Sequence, residues 1–302
     1  MFISRVVCCA VLLACLTCLL VSVQAQTKIP RVAILDLGDS ILGRTAADKL
    51  AANLRAYEAV VLDRDQSRAA ASGIGYRNSL NLTRQDAREL GSALGSEFYI
   101  VGDAQNLRRS RSDGPAYFES YAALFLVSVR TGKLIHWTMP SFEASNREEA
   151  ERLLLASLAG HEVIHPVRLA MRRALDDEVR QGEVVAETAS GIVEAFEDQQ
   201  SEQVGLQLPR PFRRLHPKYP TTAARADAEA TVDVLADIDS GGKVIRVEIT
   251  RWAGFGLDEA TAETVRRLEF FPALQDGKPI PIRVLLRYNF RKPGRPNGEN
   301  ER

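Results

Sequence analysis

The sequence predicts two folded units in series: an α/β N-terminal domain with a mixed sheet, then a small α+β C-terminal domain of ββαβ order. Three observations carry this reading. Short apolar runs alternate with amphipathic helical stretches through residues 28–181. Residues 182–208 form an acidic linker, with Glu183, Glu187, Glu194, Glu197, Asp198 and Glu202 and no lysine or arginine. Residues 209–291 carry two alternating strands around a Ser240-Gly241-Gly242 turn, then a helix and a last strand. With 302 residues, 45% of them hydrophobic, the chain has enough apolar material for two ordinary cores.

The N-terminal elements follow in order. Residues 31–37 (RVAILDL), a near-continuous apolar run, read as a buried strand. Apolar residues at helical spacing over 44–57 predict a helix, and 59–62 (AVVL) a second strand. A helix over 84–94 opens on Thr83 as its cap, with Asp86 in the first turn. Residues 98–101 (FYIV) form a third short strand, closed by Gly102. Arg130-Thr131-Gly132-Lys133 separates two extended runs, 117–129 and 133–138, as the turn of a β-hairpin. Amphipathic helices over 146–159 and 167–181 finish the domain. The linker has a helical tendency over 192–203 and ends at Pro209 and Pro211.

In the C-terminal domain, residues 230–239 alternate apolar and polar side chains, so they form a half-buried strand. Two glycines permit the positive φ angles of a tight turn, and 243–251 is the return strand. A helix over 257–268 places Asp258 and Glu259 near its positive end. Residues 282–290 (IRVLLRYNF) make the final strand, and 292–302 a polar tail.

All four cysteines, Cys8, Cys9, Cys15 and Cys18, lie in the apolar run 6–23 behind Arg5. Val23-Gln24-Ala25 follows with small residues at −3 and −1. This is the pattern of a secretory signal peptide over 1–25, cut between Ala25 and Gln26. The mature chain then has no cysteine and needs no disulfide. Two other readings stand beside it: an inner-membrane anchor through 6–23, and lipidation at Leu12-Leu13-Ala14-Cys15. Membrane association is expected only if 1–25 stays uncleaved or lipidated.

Lysine plus arginine and aspartate plus glutamate both total 39, which excludes nucleic-acid binding through bulk charge. One motif points to catalysis. His161-Glu162-Val163-Ile164-His165 fits HExxH, in which His161 and His165 would hold zinc and Glu162 would act as general base. Gly160 and Pro166 flank it and predict a helix break there, which would spoil the pairing of the two histidines. Glu183 and Glu187, in or near the linker, are candidates for a third ligand. No cofactor and no metal is expected, with a secreted zinc metallohydrolase as the alternative.

Asp36, Asp39, Asp63 and Asp65 sit near strand ends, with turn and cap roles expected. Arg108-Arg109-Ser110-Arg111 reads as a solvated loop. Arg210, Arg213, Arg214, His216 and Lys218 form a basic cluster, with anionic lipid, peptidoglycan or the acidic linker as possible contacts and a solvated face as the default. Asn81-Leu82-Thr83 matches a glycosylation acceptor.

The C-terminal unit resembles the C-terminal domain of the TonB energy-transducer family. Tyr219-Pro220 with Ala223-Ala224-Arg225, the turn at 239–244, Leu257-Asp258, the run 265–273 and Gly277-Lys278-Pro279-Ile280 carry the likeness. The N-terminal unit looks like the α/β domain of the TolB N-terminal, curli-assembly (CsgG-like) and flagellar outer-membrane proteins. Val32-Ala33-Ile34-Leu35-Asp36, Val61-Leu62-Asp63-Arg64, the run 93–102 and Thr131-Gly132-Lys133-Leu134-Ile135 carry that one.

The first resemblance implies capture of an extended peptide, which adds as a strand beside Arg283, Val284, Leu285, Leu286, Arg287, Tyr288 and Asn289. It also implies a link to TonB-type transport. The chain departs from the family in lacking a proline-rich spacer, since only Pro209 and Pro211 of its 13 prolines lie near the linker. The expectation is therefore a non-enzymatic periplasmic adaptor whose partner is an extended segment of an envelope or outer-membrane protein.

Overall fold

The computed structural model describes residues 29–57, 59–111, 114–184, 193–195 and 205–292. The signal segment 1–25, with its Ala25–Gln26 cut, and the tail beyond 292 lie outside them. Lys292 itself is tied down, its ammonium 2.7 Å from Asp227.

The N-terminal sheet contains β1 (Arg31–Leu37), β2 (Val60–Val61), β3 (Phe98–Arg109), β4 (Tyr117–Ser128), β5 (Leu134–Thr138) and β6 (Ser141–Ala144). Its order is β2-β1-β3-β4-β5, with β6 also pairing β4. β1 runs parallel to β2 and β3, and the remaining pairs are antiparallel, so the sheet is mixed. Both faces are covered. Val32, Ile34, Phe98, Ile100, Leu124 and Leu126 meet α1 (Ile41–Arg55), α4 (Arg147–Ser157) and α5 (His161–Val184) on one side. Ala33, Leu35, Tyr99, Val101, Phe125 and Val127 face α2 (Arg64–Gly73), α3 (Arg84–Leu94) and the C-terminal domain on the other. This two-sided burial is why β1 reads as a near-continuous apolar run.

Several elements differ from their predicted extents. Helix α1 starts at Ile41, because Ser40 caps it by accepting the Gly43 N–H at 2.9 Å. Helix α2 was not predicted; Asp63 caps it by accepting from Gln66 N at 2.9 Å. Strand β3 runs through Gly102 to Arg109, paired with β4 throughout. Gly102 is a close-approach residue there, since a Cβ would lie 2.0 Å from the Ala123 carbonyl oxygen. Arg109 therefore belongs to a strand and not to a solvated loop; it binds the buried Glu119 at 3.0 Å. Helix α3 forms as predicted, with a reciprocal capping box between Thr83 and Asp86.

The C-terminal sheet has the order β11-β10-β15-β7, from β11 (Val244–Arg251), β10 (Ala230–Ile238), β15 (Ile282–Phe290) and β7 (Val193–Ala195). The short α6 (Thr221–Arg225) precedes it and α7 (Leu257–Arg266) packs on β10 and β11. Five short strands complete the domain: β8 (Leu206–Gln207), β9 (Arg210–Pro211), β12 (Phe270–Phe271), β13 (Ala273–Gln275) and β14 (Lys278–Ile280). The order β10-β11-α7-β15 is the predicted ββαβ. Within the linker, Val193–Ala195 is a strand where a helical tendency was expected.

The two units share one core. Phe125 of β4 sits with its ring centre 6.1 Å from Trp252 and 5.1 Å, edge-on, from Phe255. Around it, the Asn81 amide donates to the carbonyls of Thr231 and Trp252 at 2.7 and 2.8 Å and accepts the Thr231 N–H at 3.0 Å. Arg225 reaches Glu119 across the boundary at 2.6 Å.

Candidate functional site

The predicted binding strand, β15, forms over the residues expected. Its even positions Ile282, Val284, Leu286, Tyr288 and Phe290 join the core, while the odd positions face the polar side. On that side Arg283 clamps Asp237 of β10 at 2.6 and 2.9 Å. Arg287 clamps Asp233 at 2.7 and 3.1 Å, and Arg251 adds a contact at 3.0 Å. Burial opposes ionisation of Asp233, but its hydrogen bonds and charge pairing with Arg287 and Arg251 outweigh it and hold the carboxyl below its usual range. Asn289 accepts from the Thr231 hydroxyl at 2.8 Å. Both β15 arginines are thus committed to aspartates of the neighbouring strand.

Alternation decides which main-chain groups point outward. Both polar backbone groups of Thr231 bond Asn81, so they face away from β15; at the other end of β10, the Asp239 N–H bonds Lys243 O on the β11 side. The odd residues of β10 therefore turn away from β15, and their register partners Arg283, Leu285, Arg287 and Asn289 turn their N–H and C=O groups to the outer edge.

That edge is partly occupied. β7 pairs with it in parallel, Val193 opposite Ile282 and Ala195 opposite Val284. Beyond Val284 no described strand continues on this side. Instead a groove of about 590 Å³ runs beside Leu285–Phe290, walled by Leu208, Pro209, Arg214, Leu215 and His216. The sequence reading had the edge open over its whole length and missed both the occupant and the wall. The only signal for the wall was the apolar residues set among the prolines and arginines of 208–217.

The family-motif residues are structural. The Tyr219 hydroxyl donates to the carbonyls of Ala228 at 2.7 Å and Ala223 at 3.3 Å, and its ring leans on Phe290. Burial pushes this phenol above its ordinary range. Pro220 stands at the N-cap of α6 with φ −70°.

The HExxH residues lie on a single helix. The break predicted between them falls earlier, at 158–160, and Pro166 is accommodated inside α5. Burial of Val163, Ile164, Val167 and Met171 holds this helix to the sheet despite the missing N–H. His161 and His165 are exposed and their rings stack face to face at 4.5 Å. Glu162 is exposed beside them. Among the described residues no group of three His, Cys, Asp or Glu could hold a metal ion. The proposed third ligands lie outside those whose side chains are described.

Of the strand-end aspartates, for which turn and cap roles were expected, Asp63 is a helix cap, while Asp36 and Asp65 form ion pairs instead. Asp36 pairs with the buried Arg64, and Asp65 with Arg68 at 2.6 Å. Asp39 accepts from Asn78 at 2.6 Å and lines a cleft of about 580 Å³ with Asp103, whose carboxyl is pushed up by burial. Asn81, read as a glycosylation acceptor, is instead a clamp between the two units. No helix among the described residues is long and apolar enough to cross a membrane.

Residues 215–291 match the family described as Gram-negative bacterial TonB protein C-terminal. No curated protein matches the chain. Among solved structures, the TonB C-terminal domain of Pseudomonas aeruginosa is 21% identical, covering 32% of this chain and 94% of that one with a TM-score of 0.26. A PelC dodecamer from Paraburkholderia phytofirmans is 14% identical, covering 46% and 86%, with a TM-score of 0.30. E. coli LpoB is 16% identical, covering 39% and 59%, with a TM-score of 0.29. The ββαβ order, the Tyr219-Pro220 corner and the family match agree: residues 215–291 form a TonB-like C-terminal domain.

Proposed function

We propose that this chain is a non-enzymatic envelope protein that binds a protein partner by taking up an extended segment as an added strand on β15. The observation that carries the reading is the outer edge of β15. Its odd residues aim main-chain groups outward, no described strand covers Leu285–Phe290, and a groove of about 590 Å³, lined by Leu208, Leu215 and Phe270 together with Arg214 and His216, lies alongside. An extended segment placed there satisfies its backbone on β15 and buries alternate side chains against Leu208, Leu215 and Phe270. The TonB-like family match of 215–291 supports the same use of the domain. The periplasm is the proposed compartment, through export on residues 1–25.

The test is capture of partners on the full mature chain, identified by mass spectrometry, followed by calorimetry with the captured segment. A Leu285→Pro variant loses one outward N–H. Its affinity should fall about tenfold or more, from a lost hydrogen bond of roughly 0.5–1.5 kcal/mol and an unpaired partner carbonyl costing roughly 1–3 kcal/mol. Circular dichroism must first show that the variant folds. A folded variant that binds as tightly as the parent refutes strand addition at this edge.

A further inference from the structure

The linker and the wall of the groove carry opposite charge, and part of the linker already sits on the strand that the groove borders. Residues 182–208 hold six acidic side chains and no lysine or arginine, whereas 209–218 hold Arg210, Arg213, Arg214 and Lys218 and no acid. In a chain with zero net charge this is a local separation. Among the described residues those four cations make no ion pair, unlike Arg283 and Arg251 on the same domain. Arg214 and His216 line the groove itself.

Val193–Ala195 runs parallel to β15, with Glu194 at the register position of Arg283. Because Arg283 turns its main-chain groups to this edge, the N–H of Ala195 and the C=O of Val193 must face it. The contact is only three residues long. Tethering raises its effective concentration, so it forms despite having few bonds. A longer strand from outside could take the same three positions, continue along Leu285–Phe290, and bring acidic side chains to Arg214 and the cations near it.

We propose that the partner segment is an acidic extended peptide running parallel to β15, and that the chain's own Val193–Ala195 holds the edge until that peptide displaces it. This rests on strand addition at β15 as the function. The linker serves as an internal stand-in for the partner, which explains why its strand lies on the binding edge and not elsewhere on the sheet.

The test uses a labelled peptide with the sequence of residues 191–199 (GIVEAFEDQ) and the full mature chain, read by fluorescence anisotropy. An Ala195→Pro chain, which lacks the N–H facing β15, should bind the peptide about tenfold more tightly than the parent. Val193→Pro is the second variant, should Ala195→Pro fold poorly. A peptide with lysine at its three acidic positions should bind about tenfold more weakly, and about 0.5 M salt should narrow that gap. Equal affinity of parent and both variants overturns the competition. Equal affinity for the acidic and lysine peptides overturns the acidic partner while leaving strand addition standing. Peptide binding that is unchanged by Leu285→Pro in the Ala195→Pro background takes down strand addition and this inference together.

Discussion

Replacing Asn81 by alanine tests whether the two units behave as one folding unit, and the cost can be worked from the geometry. Its amide makes three hydrogen bonds across the boundary, at 2.7, 2.8 and 3.0 Å, two of them to Thr231 of β10. The substitution leaves two carbonyls and one N–H without that partner. Each net bond is worth roughly 0.5–1.5 kcal/mol, and Asn81 is half-buried, so water recovers part of the loss; about 2–3 kcal/mol is expected. Asn81→Asp keeps the acceptor and loses both donors, so it should be no milder. Urea unfolding followed by tryptophan fluorescence suits the question, because Trp137 and Trp252 both bond across the boundary, to Glu259 and to the Gly132 carbonyl. Circular dichroism should give the same single transition. A loss below about 0.5 kcal/mol, or parent transitions that separate between the two probes, refutes the reasoning, since coincident transitions mark two-state unfolding.

Four further outcomes are expected. Protease should cut in 182–208, and the nicked chain should still run as one particle on size exclusion, because Phe125, Trp252 and Phe255 join the halves; fragments that separate would contradict this. Gly102→Ala should cost about 3 kcal/mol or more in chemical unfolding, since its Cβ would meet the Ala123 oxygen at 2.0 Å. Burial pushes the Asp258 carboxyl up to about 7 against the lowering effect of two backbone N–H bonds, so the folded state holds that proton more tightly than the unfolded chain; its contribution is present at low pH and is lost as pH rises from about 4 to about 7. Stability measured in that window should therefore depend less on pH in Asp258→Asn than in the parent. Calorimetric titration with zinc should give no stoichiometric site, and one that disappears in His161→Ala would reinstate the hydrolase reading.

The TonB-like domain was legible because its signals are local. Asp239-Ser240-Gly241-Gly242 turns the chain wherever it stands, the alternation of 230–238 has only one period, and the final strand matched its predicted ends. In the N-terminal domain the apolar cores of β1 and β3 were equally plain. Beyond Gly102, β3 becomes polar and half-exposed, and hydrophobicity stops reporting it although its pairing with β4 continues. Helix α2 escaped for a related reason: among its ten residues only Ser67, Ala71 and the ion-paired Arg64 are buried. The helix break at HExxH was misplaced because Pro166 carries a local penalty, which the packing of α5 on the sheet overrides.

The sequence by itself determined the two units, their order, most of their elements and the strand that presents the candidate edge. Those follow from periodicity and turn chemistry, which act over a few residues. Only the tertiary structure decided what lies beside each element. It joined the two units through Phe125 and Asn81, committed Arg283 and Arg287 to aspartates on β10, and laid Val193–Ala195 along the first third of the β15 edge. Such neighbours are set by contacts between residues some 50 to 170 positions apart, and the local pattern of either partner carries no trace of the other.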